Sequence, residues 1–365
     1  MKQLDPKGTY LGRMWDDTAG GPCVLRYSDG AFTNITNATA PTVRDILERN
    51  DALDFVRKAE GPEVQPKTLL APCDLQAIKA CGVTFVNSML ERVIEERAAG
   101  DPARADALRR ELSEAIGGAI DDLTPGSDAA ARVKEALMAK GMWSQYLEVG
   151  IGPDAEVFSK AQAMSAIGPG GQVGLHPISK WNNPEPEIVL AVNSRGEVRG
   201  VALGNDVNLR DVEGRSALLL GKAKDNNGSC AIGPLIRLFD ETYTMEDVRK
   251  AELSLRVTGD DGFEMIGASS MNQISRDPFD LVAQTVGAHH QYPDGFMLFL
   301  GTLFAPTQDR DGEGQGFTHH VGDVVEIACP GLGVLQNTVM LSTECPPWTF
   351  GVSHLMRNLA GRGLL

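Results

Sequence analysis

Glu185-Pro186-Glu187-Ile188-Val189-Leu190-Ala191-Val192, answered after a short polar turn by Gly200-Val201-Ala202-Leu203-Gly204-Asn205-Asp206, is the stretch on which the reading of this chain turns. Two apolar runs around Ser194-Arg195-Gly196 predict a hairpin, with strands over Glu187–Asn193 and Val198–Gly204. On a strand, residues i and i+2 share a face, so Glu185 and Glu187 sit side by side. Two such carboxylates repel unless something positive lies between them. Asp206 closes the second run and can add a third oxygen. Three hard oxygen ligands with open positions suit Mg²⁺, Mn²⁺ or Ca²⁺ better than zinc. An acidic pair at a strand end also fits a solvated rim. The polar run Asn205-Asp206-Val207-Asn208-Leu209-Arg210-Asp211 directly after an apolar strand weighs towards a site.

Composition narrows the partners. With 34 basic and 49 acidic residues the net charge is −15, which argues against a nucleic-acid partner. The longest strongly apolar run, Gly295–Gly301, is too short to span a bilayer, and Met1–Pro6 lacks the apolar core of a signal peptide. Cys23, Cys73, Cys81, Cys230, Cys329 and Cys345 are scattered without a C-x-x-C pair, which predicts free thiols in a reducing cytoplasm.

The chain is long enough for two domains. Residues 1–68 read as a small β-rich unit, with strands over Leu11–Trp15 and Cys23–Tyr27 and a turn at Ser28-Asp29-Gly30. Thr42–Asn50 reads as helical. Residues 69–365 form the second unit, with a helical insertion at about 88–141: Met89–Ala99, Asp101–Ile116 and Ser127–Lys140. Further strands are expected at Glu252–Thr258, Phe263–Ala268, Phe296–Thr302, Asp323–Cys329 and Gly333–Met340. Helices are expected after Thr244 and after Asp277-Pro278, the latter running to about His289.

Other candidates are individually ambiguous. Lys224, among small and apolar residues, reads either as a surface lysine or as a base with a weakened hold on its proton. Glu156 reads as a solvent-facing strand residue or a pocket acid, and Thr302 as an ordinary strand residue or an anion contact. His289-His290 and His319-His320 are adjacent pairs whose members point apart on a strand, which disfavours chelation. Asp309, Asp311 and Glu313 lack the spacing of a calcium loop. No G-x-S-x-G elbow is present.

Taken in order, Glu185/Glu187, Asn205-Asp206…Arg210-Asp211, Lys224…Ser229-Cys230 and Gly301-Thr302 resemble the fumarylacetoacetate hydrolase superfamily over about residues 70–365. The resemblance implies an α+β, mainly β fold: the family's mixed β-roll, preceded here by the small β-rich N-terminal domain and carrying the helical insertion. It implies Mg²⁺ bound by Glu185, Glu187 and Asp206, with Mn²⁺ or Ca²⁺ as alternatives. Lys224 and Arg210 then face the substrate, as does Thr302, and Glu213 and Lys160 join them as contacts. Hydrolytic members carry a His and a Glu three apart on a lid helix. Here Glu91 matches, but Ser88 stands in the place of the His, and a serine hydroxyl is no unaided base at neutral pH.

Within the superfamily, Trp143–Glu148, Trp181–Glu187, Arg215–Leu220 and Asn358–Leu365 are most similar to long proteins that dehydrate 2-keto-3-deoxy-pentonates. That likeness implies a Mg-dependent lyase acting on a small 2-keto acid and yielding 2-oxoglutarate semialdehyde. Lys224, Glu156 and Glu91 share the roles of base and acid, and Ser88 becomes a substrate contact. Relatives assemble as homodimers or higher homo-oligomers. Two other readings compete: a hydrolase of C–C bonds in 2,4-diketo (acylpyruvate-type) acids, and a non-catalytic metal or sugar-acid binding protein.

Overall fold

The computed structural model describes residues 2–85, 89, 93, 123–139, 141 and 143–365. Ser88, Glu91 and most of the helices expected over Met89–Ala99 and Asp101–Ile116 lie outside the described residues. The third expected helix is present as Asp128–Ala139.

Among the described residues, sixteen strands form two mixed sheets, neither of which closes on itself. In chain order they are β1 Tyr10–Asp16, β2 Gly21–Ser28, β3 Ala31–Asn34, β4 Glu63–Val64, β5 Leu69–Leu70, β6 Ala77–Gly82, β7 Glu156–Ala161 and β8 Gln172–Leu175. There follow β9 Pro186–Val192, β10 Val198–Asp206, β11 Cys230–Leu238, β12 Glu252–Thr258, β13 Glu264–Ser270, β14 Phe296–Phe299, β15 Val324–Cys329 and β16 Gly333–Leu341. The larger sheet runs β4-β3-β2-β1-β11-β10-β9-β14-β6-β7, with β5 paired to β1. The smaller runs β13-β12-β15-β16-β8. Between these strands of the described residues, two pairings are parallel, β14 with β6 and β16 with β8. The chain is therefore mainly β, as its alternating and apolar runs predict.

Turn chemistry explains the hairpins. Asp29 and Gly30 both have positive φ, which suits the two-residue turn between β2 and β3. Thr42 and Thr244 each cap a short helix with a reciprocal capping box, closed by Asp45 and Asp247. The strands before residue 68 extend the larger sheet through β1, whose Tyr10 and Leu11 pair with Arg237 and Ile236 of β11.

The site is positioned by the centre of that sheet. Every residue of β9 is buried. Ile188, Leu190 and Val192 pack towards the smaller sheet, with Leu255, Val257, Val325 and Ile327. Val189 and Ala191 pack towards Val43, Ile46 and Val56 of the two N-terminal helices. A strand covered on both faces reads as a continuous apolar run, which is why Ile188–Val192 shows no alternation. The hairpin pairs Glu187 with Gly204 and Pro186 with Asn205, so both acidic ends meet at one edge of the core.

Gly204 is required there. A Cβ on it would overlap the Phe299 ring and the Val189 side chain. We expect Gly204→Ala to destabilise the fold by about 1–3 kcal/mol through overpacking. Gly204→Ala combined with Phe299→Leu should recover part of that loss, read as the midpoint of urea unfolding. Equal, additive losses in the double variant would show that the ring is not what the glycine accommodates.

Candidate metal centre and active site

Glu185, Glu187 and Asp206 place one carboxylate oxygen each within 4.8 Å of one another, and all three residues are buried. The backbone holds them in register: the Asp206 N–H donates to the Glu185 carbonyl at 3.1 Å, and the Glu185 N–H donates to Asn205 Oδ1 at 3.1 Å. Asn208 Nδ2 donates to Glu185 Oε1 at 3.1 Å. On the other side, the Gly301 N–H donates to Glu187 Oε2 at 2.7 Å. Gly301 adopts φ +88°, and a Cβ there would strike the Thr84 hydroxyl, so only glycine brings this N–H to the carboxylate.

Two buried lysines offset the negative charge. Lys224 Nζ lies 2.5 Å from Glu185 Oε2 and 3.3 Å from Asp206 Oδ2. It ends the short helix Leu220–Lys224 and is almost wholly buried, which rules out the surface reading. Lys160 Nζ lies 2.9 Å from Asp206 Oδ1 and also donates to the carbonyls of Lys224 and Val207. Burial nevertheless pushes Glu187 well above the usual carboxylate range, and the charges of Asp206 and Glu185 push the same way. Neither Asp206 carboxylate oxygen makes a hydrogen bond of good geometry, though both are buried. Three converging hard-oxygen donors, one of them short of hydrogen bonds, fit a divalent cation of the Mg²⁺ or Ca²⁺ type.

The carboxylates open onto a cleft of about 370 Å³, counting its mouth. Glu156, Glu213, Lys224 and Thr302 line it beside the triad, together with Cys81, Gly82, Val83 and Phe158. Glu156 starts β7 opposite Gly82 of β6, and a Cβ on Gly82 would occupy the position of the Glu156 carboxylate. The Thr302 hydroxyl accepts the N–H of Phe304 at 3.1 Å. Among the sequence-derived candidates, Lys160 and Arg210 are not on this wall. Lys160 lies behind Asp206 with its ammonium turned to protein oxygens. Arg210 stacks 4.3 Å over the Trp181 ring and donates to the Pro306 carbonyl at 3.2 Å.

Sequence reasoning missed Asn208, the Gly301 N–H and the Cys81–Val83 wall. Asn208 stood within the polar run, and its signal was adjacency to Asp206. The other features exist only once β14 pairs with β6. The histidine pairs stand apart from the pocket. His319 Nδ1 meets Asp323 Oδ2 at 3.0 Å, while His320 is half-exposed between Asp261 and Asp311. Asp309 accepts the N–H groups of Gly314 and Gly316, so it closes a turn of its own. No helix among the described residues is long and apolar enough to cross a membrane.

Comparisons with known proteins follow the same residues. The model of the fumarylacetoacetate (FAA) hydrolase C-terminal region matches residues 144–340. A probable 2-keto-3-deoxyxylonate dehydratase of Haloferax volcanii is 31% identical over 209 residues, 57% of this chain and 67% of that protein. A 2-dehydro-3-deoxy-D-arabinonate dehydratase of Saccharolobus solfataricus is 27% identical over 184 residues, 50% of this chain and 58% of that protein. Among solved structures, a 2-keto-3-deoxy-D-arabinonate dehydratase complexed with magnesium and 2,5-dioxopentanoate superposes with a TM-score of 0.63 at 18% identity, covering 91% of this chain and 99% of that one. A fumarylacetoacetate hydrolase from Exiguobacterium antarcticum superposes with a TM-score of 0.57 at 17% identity, with coverage of 91% and 99%. These two structures share the fold. Because the matched region spans more than half of its length, and that region carries the three buried carboxylates and Lys224, the chain belongs to the fumarylacetoacetate hydrolase family.

Proposed function

We propose that this protein is a Mg²⁺-dependent lyase that dehydrates a 2-keto-3-deoxy-pentonate to 2-oxoglutarate semialdehyde. The observation that carries the reading is the buried Glu185–Glu187–Asp206 triad opening onto the same cleft as Glu156 and Lys224. The names of the dehydratases it resembles support the substrate class, and the magnesium and 2,5-dioxopentanoate in a structure of the same fold support the metal and product. When bound by Glu185, Glu187 and Asp206, Mg²⁺ supplies Lewis-acid chemistry that acidifies the protons next to a 2-keto group.

The chain's own residues divide the remaining work. Lys224, fixed by Glu185 and Asp206, presents positive charge to the anionic end of the substrate, and Thr302 offers its hydroxyl there. Arg210 and Lys160 add positive charge from behind the wall, and Glu213 faces the polar tail. Glu156, half-buried on the cleft wall, takes a proton from C3 and gives one to the departing 4-hydroxyl, which leaves as water. The product of that step has a C3=C4 double bond. Moving a proton from C5 to C3 gives the enol, and its tautomer is the semialdehyde. Glu91 is the second candidate for the acid, and Ser88 a candidate substrate contact.

The competing reading, hydrolysis of a 2,4-diketo acid, needs a water-activating base where Ser88 stands. Free buried thiols at all six cysteines suit a reducing cytoplasm, and the family likeness suits a homo-oligomer.

The test is a coupled assay with Mg²⁺ and 2-keto-3-deoxy-D-pentonate, in which a semialdehyde dehydrogenase reports the product. Signal should vanish with chelator and fall by at least about 10²-fold in Glu187→Gln, the loss of several kcal/mol of charge stabilisation. Mg²⁺ should raise the melting temperature of the wild type but not of Glu187→Gln. Glu156→Gln should cost about 10²–10⁴-fold in kcat with Mg²⁺ binding retained. Pyruvate released from a 2,4-diketo acid, without dehydration of the sugar acid, would replace this reading with the hydrolase.

A further inference from the structure

We propose that Arg276 is a positioning residue that sets the Glu156 carboxylate in the cleft, acting from the face of the protein behind it. This rests on the role given to Glu156 above.

Arg276 belongs to the short segment between β13 and the helix Pro278–Thr285, and its side chain is only 2% exposed. Arg276 Nη2 donates to the carbonyls of Val149 at 2.8 Å, Gly152 at 2.7 Å and Asp154 at 3.4 Å. These oxygens belong to the C-terminal end of the helix Gln145–Ile151 and to the turn that leads into β7. The last carbonyls of a helix have no partner within it, so one buried guanidinium satisfies a helix end and the following turn together. The same turn is held again from the next helix: the Ala155 N–H donates to Gln284 Oε1 at 2.6 Å. Glu156 is the next residue, so its backbone leaves a turn fixed on both sides by residues 276–284.

The stretch that follows β6, next to Glu156 on the neighbouring strand, is tied to the same segment. The Ser275 N–H and hydroxyl both donate to the Thr84 carbonyl, at 2.8 and 2.7 Å. Thr84 Oγ1 in turn donates to the Leu300 carbonyl at 2.6 Å, next to the Gly301 N–H that binds Glu187. Val83, between Gly82 and Thr84 on the cleft wall, holds φ +56°, a left-handed conformation that a β-branched residue adopts only when its surroundings impose it. Ser275 and Arg276 therefore buckle the Val83–Thr84 wall to the turn before Glu156. The spacing across which Glu156 meets the metal carboxylates is fixed by this buckle.

A lysine at 276 keeps the charge but replaces a planar fork by a point donor, so it cannot hold the same carbonyls in one geometry. We expect Arg276→Lys to lower kcat about 10- to 100-fold, the scale of a misplacement near 1 Å, with KM and the Mg²⁺-induced shift in melting temperature unchanged. Gln284→Met, which loosens the same turn and leaves Arg276 intact, should show the same pattern with a smaller loss. Combined with Glu156→Gln, either change should cost nothing further in kcat, because the group it positions is gone. That non-additivity is what a merely structural role would not produce. Wild-type kcat in both Arg276→Lys and Gln284→Met overturns the proposal. So does a full additional loss in a Glu156→Gln background that is itself slow, which leaves the role of Glu156 standing. Glu156→Gln with unchanged kcat instead overturns the role of Glu156, and the proposal with it.

Discussion

Three carboxylates buried within reach of one another are the constraint around which this molecule is arranged. Each would be costly to hide alone, and together they repel. The protein meets the cost with two buried lysines, an asparagine amide and a backbone N–H, all aimed at the same few oxygens. Those donors come from β7, the helix before β11, the segment after β10 and the segment after β14. Much of the topology of the larger sheet, including the unusual parallel neighbour of β14, serves to bring these segments to one edge.

The net charge of −15 has its counterpart at the candidate site. Lys160 and Lys224 are buried beside the triad, and Arg210 is pinned on Trp181. A guanidinium stacked on an indole keeps its charge while losing little freedom, so it contributes a fixed field rather than a mobile contact. Of the charged side chains that line the cleft, Lys224 stands against Glu156, Glu185, Glu187, Asp206 and Glu213, so the lining itself is acidic and leaves room for the charge of a cation.

The triad itself was legible in the sequence because its logic is local. Two glutamates two apart at the mouth of one strand, and an aspartate at the end of its hairpin partner, must meet if the hairpin forms. The strands with strong apolar runs and turn residues were legible for the same reason. Strands β6 and β7 were not, since Ala77–Gly82 and Glu156–Ala161 mix small and charged residues and gain order only from their neighbours. Lys160 shows the limit most clearly. Its type and place suggest a contact with substrate, yet whether a lysine faces a cleft or seals the back of an aspartate depends on which carbonyls surround it, here those of Lys224 and Val207. Asn208 and the Gly301 N–H were hidden for a related reason: their partners lie 23 and 114 residues away.

The span from Glu187 to the Gly301 N–H also bears on how the chain reaches its native state. Closing contacts between segments so far apart is entropically slow, and pairings of this kind form only after large loops have been fixed. The hairpin β9–β10 is local and can form early, gathering its acidic ends while no N–H from Gly301 yet restrains Glu187. The cleft is complete only when β14 has docked. A chain in which β14 has not docked therefore gathers the three carboxylates on the hairpin but lacks the N–H that holds Glu187 in place.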